Sequence, residues 1–297
     1  MRNKTPSLAY MLGEDDGHDV HVVSFSGGRT SAYLVYLMEQ KRVIDGWDVN
    51  YIFMDTGAEH PKTYEFIRNV VKHFGISLTC LRLVASESLG TGNTYEVCSV
   101  DDIGPDLKPF RGMAKKYGPP GIHNPWCTAR MKVDVYEAYC ISRWGKNSYL
   151  TWLGIRADEK RRLKRKDRIN YLADISNATK DDIINWWSKQ PFDLGIHEHL
   201  GNCIFCFKKG DGKLALAMRD CPDEYEEFWS MIKDPNNRLY PGKESNEVIY
   251  RNHRTLPDIE KQFSEFSYKE IWDSLRFTKK FDTNSCSESC EIINFDE

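Results

Sequence analysis

No apolar run in this chain approaches the roughly 20 residues that a helix needs to cross a membrane, which excludes the ordinary membrane-spanning class. The first residues, with Glu14, Asp15 and Asp16, lack the basic-then-apolar pattern of a secretory leader, so a cytoplasmic location and no membrane partner are expected. Charge of one sign is not in excess either. Lys and Arg number 41 against 44 Asp and Glu, a formal net charge of -3, which argues against a strongly basic nucleic-acid binder. No internal repeat and no interdomain linker stands out. The chain also lacks the lysine of the Gly-x-x-x-x-Gly-Lys-Ser/Thr phosphate loop and the Gly-x-Gly-x-x-Gly dinucleotide fingerprint. What remains is a globular composition, 297 residues at 40% hydrophobic and 29% charged, enough for one large or two modest domains.

The richest stretch is Ser24-Phe25-Ser26-Gly27-Gly28-Arg29-Thr30-Ser31, which follows the β-branched run Val20-His21-Val22-Val23 and leads into a helix-like segment from Ala32 to Met38. A glycine pair between strand and helix suits an anion: the backbone can turn tightly, and the free N–H groups and positive helix dipole face the ligand. The hydroxyls of Ser26, Thr30 and Ser31 can add donors. Its place on the first strand-to-helix turn is where open parallel sheets hold ligands, beyond the carboxyl ends of their strands.

Nine cysteines in a chain with no export signal point to reduced thiols, a metal or a cluster rather than structural disulfides. Cys203 and Cys206 form a Cys-x-x-Cys pair in a knuckle-like loop, Gly201 to Gly210, and two such sulfurs can bind one metal centre. Cys127 and Cys98 are the best candidates to complete four ligands. Four thiolates suit tetrahedral zinc or an iron-sulfur cluster, and spacing does not separate the two. Cys80 and Cys140 lie in apolar contexts and are expected in the core. The run Lys160-Arg161-Arg162-Leu163-Lys164-Arg165-Lys166 is a dense basic cluster, the one hint of a nucleic-acid partner.

Periodicity predicts an α/β chain. Strands are expected over 20–25, 50–54, 78–84 and 148–155, with helices over 31–40, 61–74, 133–144 and from a Thr179 cap to Trp187. The stretch 86–121, rich in glycine, proline and polar residues, predicts a long mobile loop over the site. Helical material is expected over 214–218, 223–233, 256–263 and 268–275. The expected organisation is a lead-in over 1–19, a nucleotide-binding domain over 20–210, and a helical region with a polar cysteine-bearing tail over 211–297.

Taken in order, Ser26-Gly27-Gly28-Arg29-Thr30-Ser31, Met54-Asp55-Thr56-Gly57, Cys127 with Lys132, Gly154-Ile155-Arg156-Ala157-Asp158-Glu159 with Arg161 and Arg162, and Cys203 with Cys206 resemble the phosphoadenosine phosphosulfate (PAPS) reductase family of the PP-loop, or N-type ATP pyrophosphatase, superfamily. The resemblance spans about residues 20 to 210. It implies a twisted, mostly parallel sheet flanked by helices, of the adenine nucleotide alpha hydrolase-like kind. It implies that the loop, from Ser24 and Ser26 through Gly27, Gly28, Arg29 and Thr30 to Ser31, holds the phosphate or sulfate end of an adenine nucleotide. Asp55, Thr56 and Gly57 would lie beside that nucleotide, and Arg156 and Arg162 would contact its anionic end. Arginine's planar fork suits such oxygens, and Lys132 supplies a compact charge next to Cys127, so Lys132 and Arg156 are the candidate catalytic residues.

Cluster-bearing members carry a Cys-Cys pair and later a Cys-x-x-Cys; here Thr128 stands where the second cysteine of the pair would be. The resemblance therefore implies a 4Fe-4S cluster on Cys98, Cys127, Cys203 and Cys206, with zinc as the alternative. Reductases of the family also use a mobile Glu-Cys-Gly-x-His tail, whereas this chain has Cys286 and Cys290 with no following glycine or histidine. The expected activity is adenylation and sulfur transfer, with ATP and Mg2+ and a nucleic-acid or other sulfur acceptor. Reduction of PAPS or adenylyl sulfate to sulfite, with a thioredoxin-like donor, is the alternative; a nucleotide-binding regulator without chemistry is the second. Self-association is left open.

Overall fold

The computed structural model describes residues 20–239, 250–251 and 253–276. Its centre is the first predicted strand, Val20–Ser24 (β1), flanked by parallel partners on both sides: Val49–Asp55 (β2) and Tyr149–Leu153 (β5). Leu78–Val84 (β3) pairs parallel to β2, Thr94–Cys98 (β4) closes that edge antiparallel, and Ile169–Tyr171 (β6) extends the other side in parallel. The order is β4-β3-β2-β1-β5-β6, so chain direction across the sheet reverses at β1. Loops after β1, β2 and β5 therefore meet at one edge, where such sheets take ligands.

Alternation along the strands divides the apolar residues between two cores. Val22, Ile52, Met54, Leu81 and Leu83 face one; Val23, Tyr51, Phe53 and Cys80 face the other. The second core is covered by Arg29–Gln40 (α1), Pro61–Phe74 (α2) and, after the β6 strand, Lys180–Trp187 (α5). α2 starts with a His60 ring nitrogen accepting from the Lys62 amide at 3.1 Å and Pro61 in its first turn, and ends at Gly75 in the left-handed region. α5 has the expected Thr179 cap, paired reciprocally with Asp182.

The first core is covered by Lys108–Tyr117 (α3), Asp134–Trp144 (α4), Asp211–Asp220 (α6), Pro222–Ile232 (α7) and Leu256–Gln262 (α8). A further helix, Tyr268–Arg276 (α9), packs on α6 through Ile271. Leu214, Phe228 and Ile259 share one cluster with the strand residues Leu81 and Leu153, so the C-terminal helices and the sheet have a common core. Among the described residues no helix is long and apolar enough to cross a membrane.

One expectation is corrected. The stretch 86–121 is not one mobile loop: it forms edge strand β4 and helix α3. Buried Lys116 pins the remaining loop, donating to the Thr91 carbonyl at 2.6 Å, to Asn93 Oδ1 at 2.7 Å and to the Ser86 hydroxyl. Strand β6 was not predicted, because three residues are too few to show an alternation. The 1–19 lead-in and the tail with Cys286 and Cys290 lie outside the described residues.

Candidate functional site

The glycine loop turns sharply at the carboxyl end of β1. Gly27 has φ +79, and a Cβ there would stand 2.9 Å from Thr63 Cγ2 and 3.1 Å from Ile67 Cδ1 of α2, so only glycine fits without displacement. Gly28 is the N-cap of α1 and has no side chain to satisfy the first-turn amides, which leaves them directed at the loop. The loop is held by Ser31: its hydroxyl donates to the Gly28 carbonyl at 3.0 Å, accepts from the Ser26 amide at 3.2 Å, and lies 2.9 Å from the Ser26 hydroxyl.

The opposite wall comes from β5. A Cβ on Gly154 would meet Ser31 Cα at 2.9 Å and its amide nitrogen at 3.0 Å, so the end of β5 is pressed against the start of α1. Two residues on, buried Arg156 donates to Thr30 Oγ1 at 3.3 Å and is oriented by Asp158 at 2.9 Å and Glu159 at 3.4 Å. Arg162 pairs with the same Glu159. Arg29 points elsewhere: its guanidinium forms a bidentate pair with Asp193, both contacts 2.6 Å.

Asp55, at the end of β2, is fully engaged inside the protein. Arg82 holds Oδ2 at 2.5 and 3.0 Å, while the Gly57 amide and Tyr64 hydroxyl donate to Oδ1 at 2.9 and 3.2 Å. Burial pushes this carboxyl above its ordinary range and Arg82 pulls back. Asp55 thus shapes the turn that carries Thr56 and Gly57. Gly57, at φ +70, admits the Leu107 backbone and the Asp106 carboxylate, which a Cβ would meet at 2.9 and 2.8 Å.

Thr56 faces a second feature, a small, partly open cavity on the first-core side. It is lined by Cys127, Cys203, Cys206, Lys132, Lys208 and Tyr250 among others. Cys203 Sγ lies 3.7 Å from Thr56 Oγ1 and 3.6 Å from Glu59 Oε1; the same carboxylate oxygen is 3.9 Å from Lys132 Nζ. Cys127 opens a π-helical segment, Cys127–Val133, a geometry often found at functional sites. Burial and the nearby sulfurs of Cys206, Cys127 and Cys203 push the Tyr250 hydroxyl far above its usual range.

The cysteine loop is held both from within and from outside. Lys209, buried, donates to the His199 and Ile204 carbonyls at 2.7 and 2.9 Å, and Arg251 donates to those of Phe207 and Lys208 at 3.1 and 2.8 Å. Tyr250 donates to the Phe205 carbonyl. Sequence reasoning missed Glu59, Tyr250 and Arg251. Glu59, two residues past the Asp55-Thr56-Gly57 turn, could have been found from that proximity; the other two carry no local motif.

Cys98 is not in this cavity. It pairs across the sheet edge with Cys80 and packs with the second core, whereas Cys127, Cys203 and Cys206 belong to the first. Burial pushes its thiol up. Three of the four suggested thiols are thus brought together and the fourth is held apart, and among the described residues no group of three or more His, Cys, Asp or Glu side chains is arranged to hold a metal ion. The residues do not fit a four-thiolate centre in this arrangement.

A family profile described as the phosphoadenosine phosphosulfate reductase domain matches residues 20–98, the segment from β1 to β4. An uncharacterized nin region protein of Escherichia phage lambda is 49% identical over 277 residues, covering 92% of this chain and 95% of that protein. An uncharacterized protein of Methanocaldococcus jannaschii is 24% identical over 228 residues, covering 72% of this chain and 41% of that protein.

Proposed function

The chain belongs to the phosphoadenosine phosphosulfate reductase family, within the PP-loop superfamily, and from that membership we propose that it binds ATP and activates an acceptor oxygen for sulfur transfer. The observation that carries this reading is the cradle itself: Gly27 at φ +79, the open first turn of α1, and Arg156 locked toward Thr30 by two carboxylates. Backbone N–H groups and a guanidinium fixed in advance are the means by which proteins stabilise charge that develops on phosphoryl oxygens.

In this proposal the ATP phosphates occupy the Ser26 to Ser31 loop, with Mg2+ entering alongside ATP. The acceptor oxygen attacks the α-phosphorus, the bond to the β-phosphate breaks, and pyrophosphate leaves. Arg156 neutralises charge on the departing oxygens. A sulfur nucleophile then displaces AMP. Lys132, paired with Glu59 at 3.9 Å, lines the same cavity as Cys127 and Cys203, where its ammonium can donate to an incoming thiolate or sulfide.

Calorimetric titration with ATP, and separately with PAPS, tests the reading alongside assays for pyrophosphate and sulfite. ATP binding that weakens at least tenfold in Arg156→Ala, with pyrophosphate release once an acceptor is supplied, is the expected result. Sulfite release from PAPS with thioredoxin, and no pyrophosphate from ATP, would overturn it in favour of reduction. Tight nucleotide binding without turnover on any acceptor would favour a regulator.

A further inference from the structure

Between β5 and β6 the chain carries the run Lys160 to Lys166, and one apolar residue gives it a geometry. Leu163, at its middle, packs against the core cluster that contains Cys127, Cys203 and Cys206. The backbone beside it is fastened by buried Tyr171, whose hydroxyl donates to the Lys164 carbonyl. Arg165 stays over the Tyr171 ring at 6.0 Å and reaches Asp174 at 2.6 Å. Around this pin Lys160, Arg161, Lys164, Arg165 and Lys166 are exposed.

Acidic groups also lie near the run, and Asp167, beside Lys166, is exposed together with the cations. Asp158 orients Arg156, Glu159 holds Arg156 and Arg162, and Asp174 meets Arg165. A chain of net charge -3 carries five exposed cations on one short rim, residues 160–166. That rim is continuous with the nucleotide cradle, since Arg156 at its near end contacts Thr30, and Leu163 places it over the same side of the sheet as the thiol cavity.

We infer that this loop docks the acceptor, and that the acceptor is a nucleic acid held by its phosphate backbone. The inference rests on the activation reading above and names the acceptor class that reading leaves unspecified. Closely spaced guanidinium and ammonium groups match regularly spaced phosphates. Residues 157–168 include no aromatic side chain on which a base could stack, so recognition here is of charge rather than sequence. Such binding weakens steeply with salt because it releases counterions.

The test is fluorescence anisotropy of the full chain with a labelled single strand of about 20 nucleotides, its duplex, transfer RNA and poly-glutamate, over a series of salt concentrations. A quadruple variant, Lys160→Ala, Arg161→Ala, Lys164→Ala and Lys166→Ala, leaves Arg156, Arg162 and Arg165 in place. We expect it to bind nucleic acid on the order of 10- to 100-fold more weakly at about 0.1 M salt, with a salt slope shallower by about 3 for a single strand. ATP binding and thermal melting should match the unaltered protein. The three nucleic-acid arms identify which polymer is preferred. Equal affinity and slope in the variant, or tighter binding of poly-glutamate than of any nucleic acid, overturns the inference. If the unaltered protein binds nucleic acid as described but no adenine nucleotide, the docking surface stands and the activation reading falls.

Discussion

Gly27 lies in backbone space that larger residues reach only with strain, and its missing Cβ is the space that Thr63 and Ile67 occupy. Gly27→Ala is expected to cost about 1 to 3 kcal/mol of stability and to weaken ATP binding; denaturant melts and calorimetry read the two effects separately. Asp55 carries a different kind of constraint. Its carboxylate neutralises Arg82, a buried guanidinium whose other carboxylate partner is Asp106 at 3.2 Å. Asp55→Ala should destabilise by about 3 to 5 kcal/mol, as expected when a buried pair loses one member. His199 provides a pH test. Burial holds its imidazole down to about 4, against an opposing hydrogen bond to Asp220 at 2.6 Å. A base whose folded pKa lies below its unfolded value near 6.5 contributes stability that is full above that value and is lost as pH falls toward 4. Between those limits His199→Gln should lack a component of acid sensitivity on the order of 3 kcal/mol, measured as the difference between paired urea melts.

At the level of elements, the parts with a strong period were legible: β1, α2 and α5 stand close to where alternation, Pro61 and Thr179 place them. β4 and α3 were hidden because their stabilisation is tertiary. β4 is half-exposed and, among the described residues, paired only with β3, and α3 is preceded by the cap residue Leu107 in a left-handed conformation next to Gly57, which no local signal announces. The cradle was legible because glycines, hydroxyls and strand-to-helix order coincide within eight residues. The cysteine set was only partly so: spacing shows that Cys203 and Cys206 are neighbours, yet it cannot show which face of a sheet Cys98 occupies. The strap from Tyr250 to Arg251 depends on contacts more than 40 residues away in sequence. Arg251→Ala removes two charge-assisted hydrogen bonds to the cysteine loop, and alkylation of Cys206 should accelerate about tenfold, read by mass spectrometry over time.

For the whole molecule, the sheet separates two cores, with the thiol cavity on one side and Cys98 on the other. Substitutions that share no partners across such a divide add in their effects on stability. Cys98→Ser and Cys203→Ser are expected to combine within about 0.5 kcal/mol of the sum of the single changes. A discrepancy well above that would mean the two sulfurs ligate a common centre after all. The glycine loop and the end of β5 meet where the sheet changes direction. There Gly154 leaves 2.9 Å between its missing Cβ and the backbone of Ser31. Position 154 is consequently closed to evolutionary drift: a descendant that gains any side chain there must part β5 from α1 and give up the cradle, so lineages that keep the pocket should keep that glycine even where the tail and the basic rim diverge.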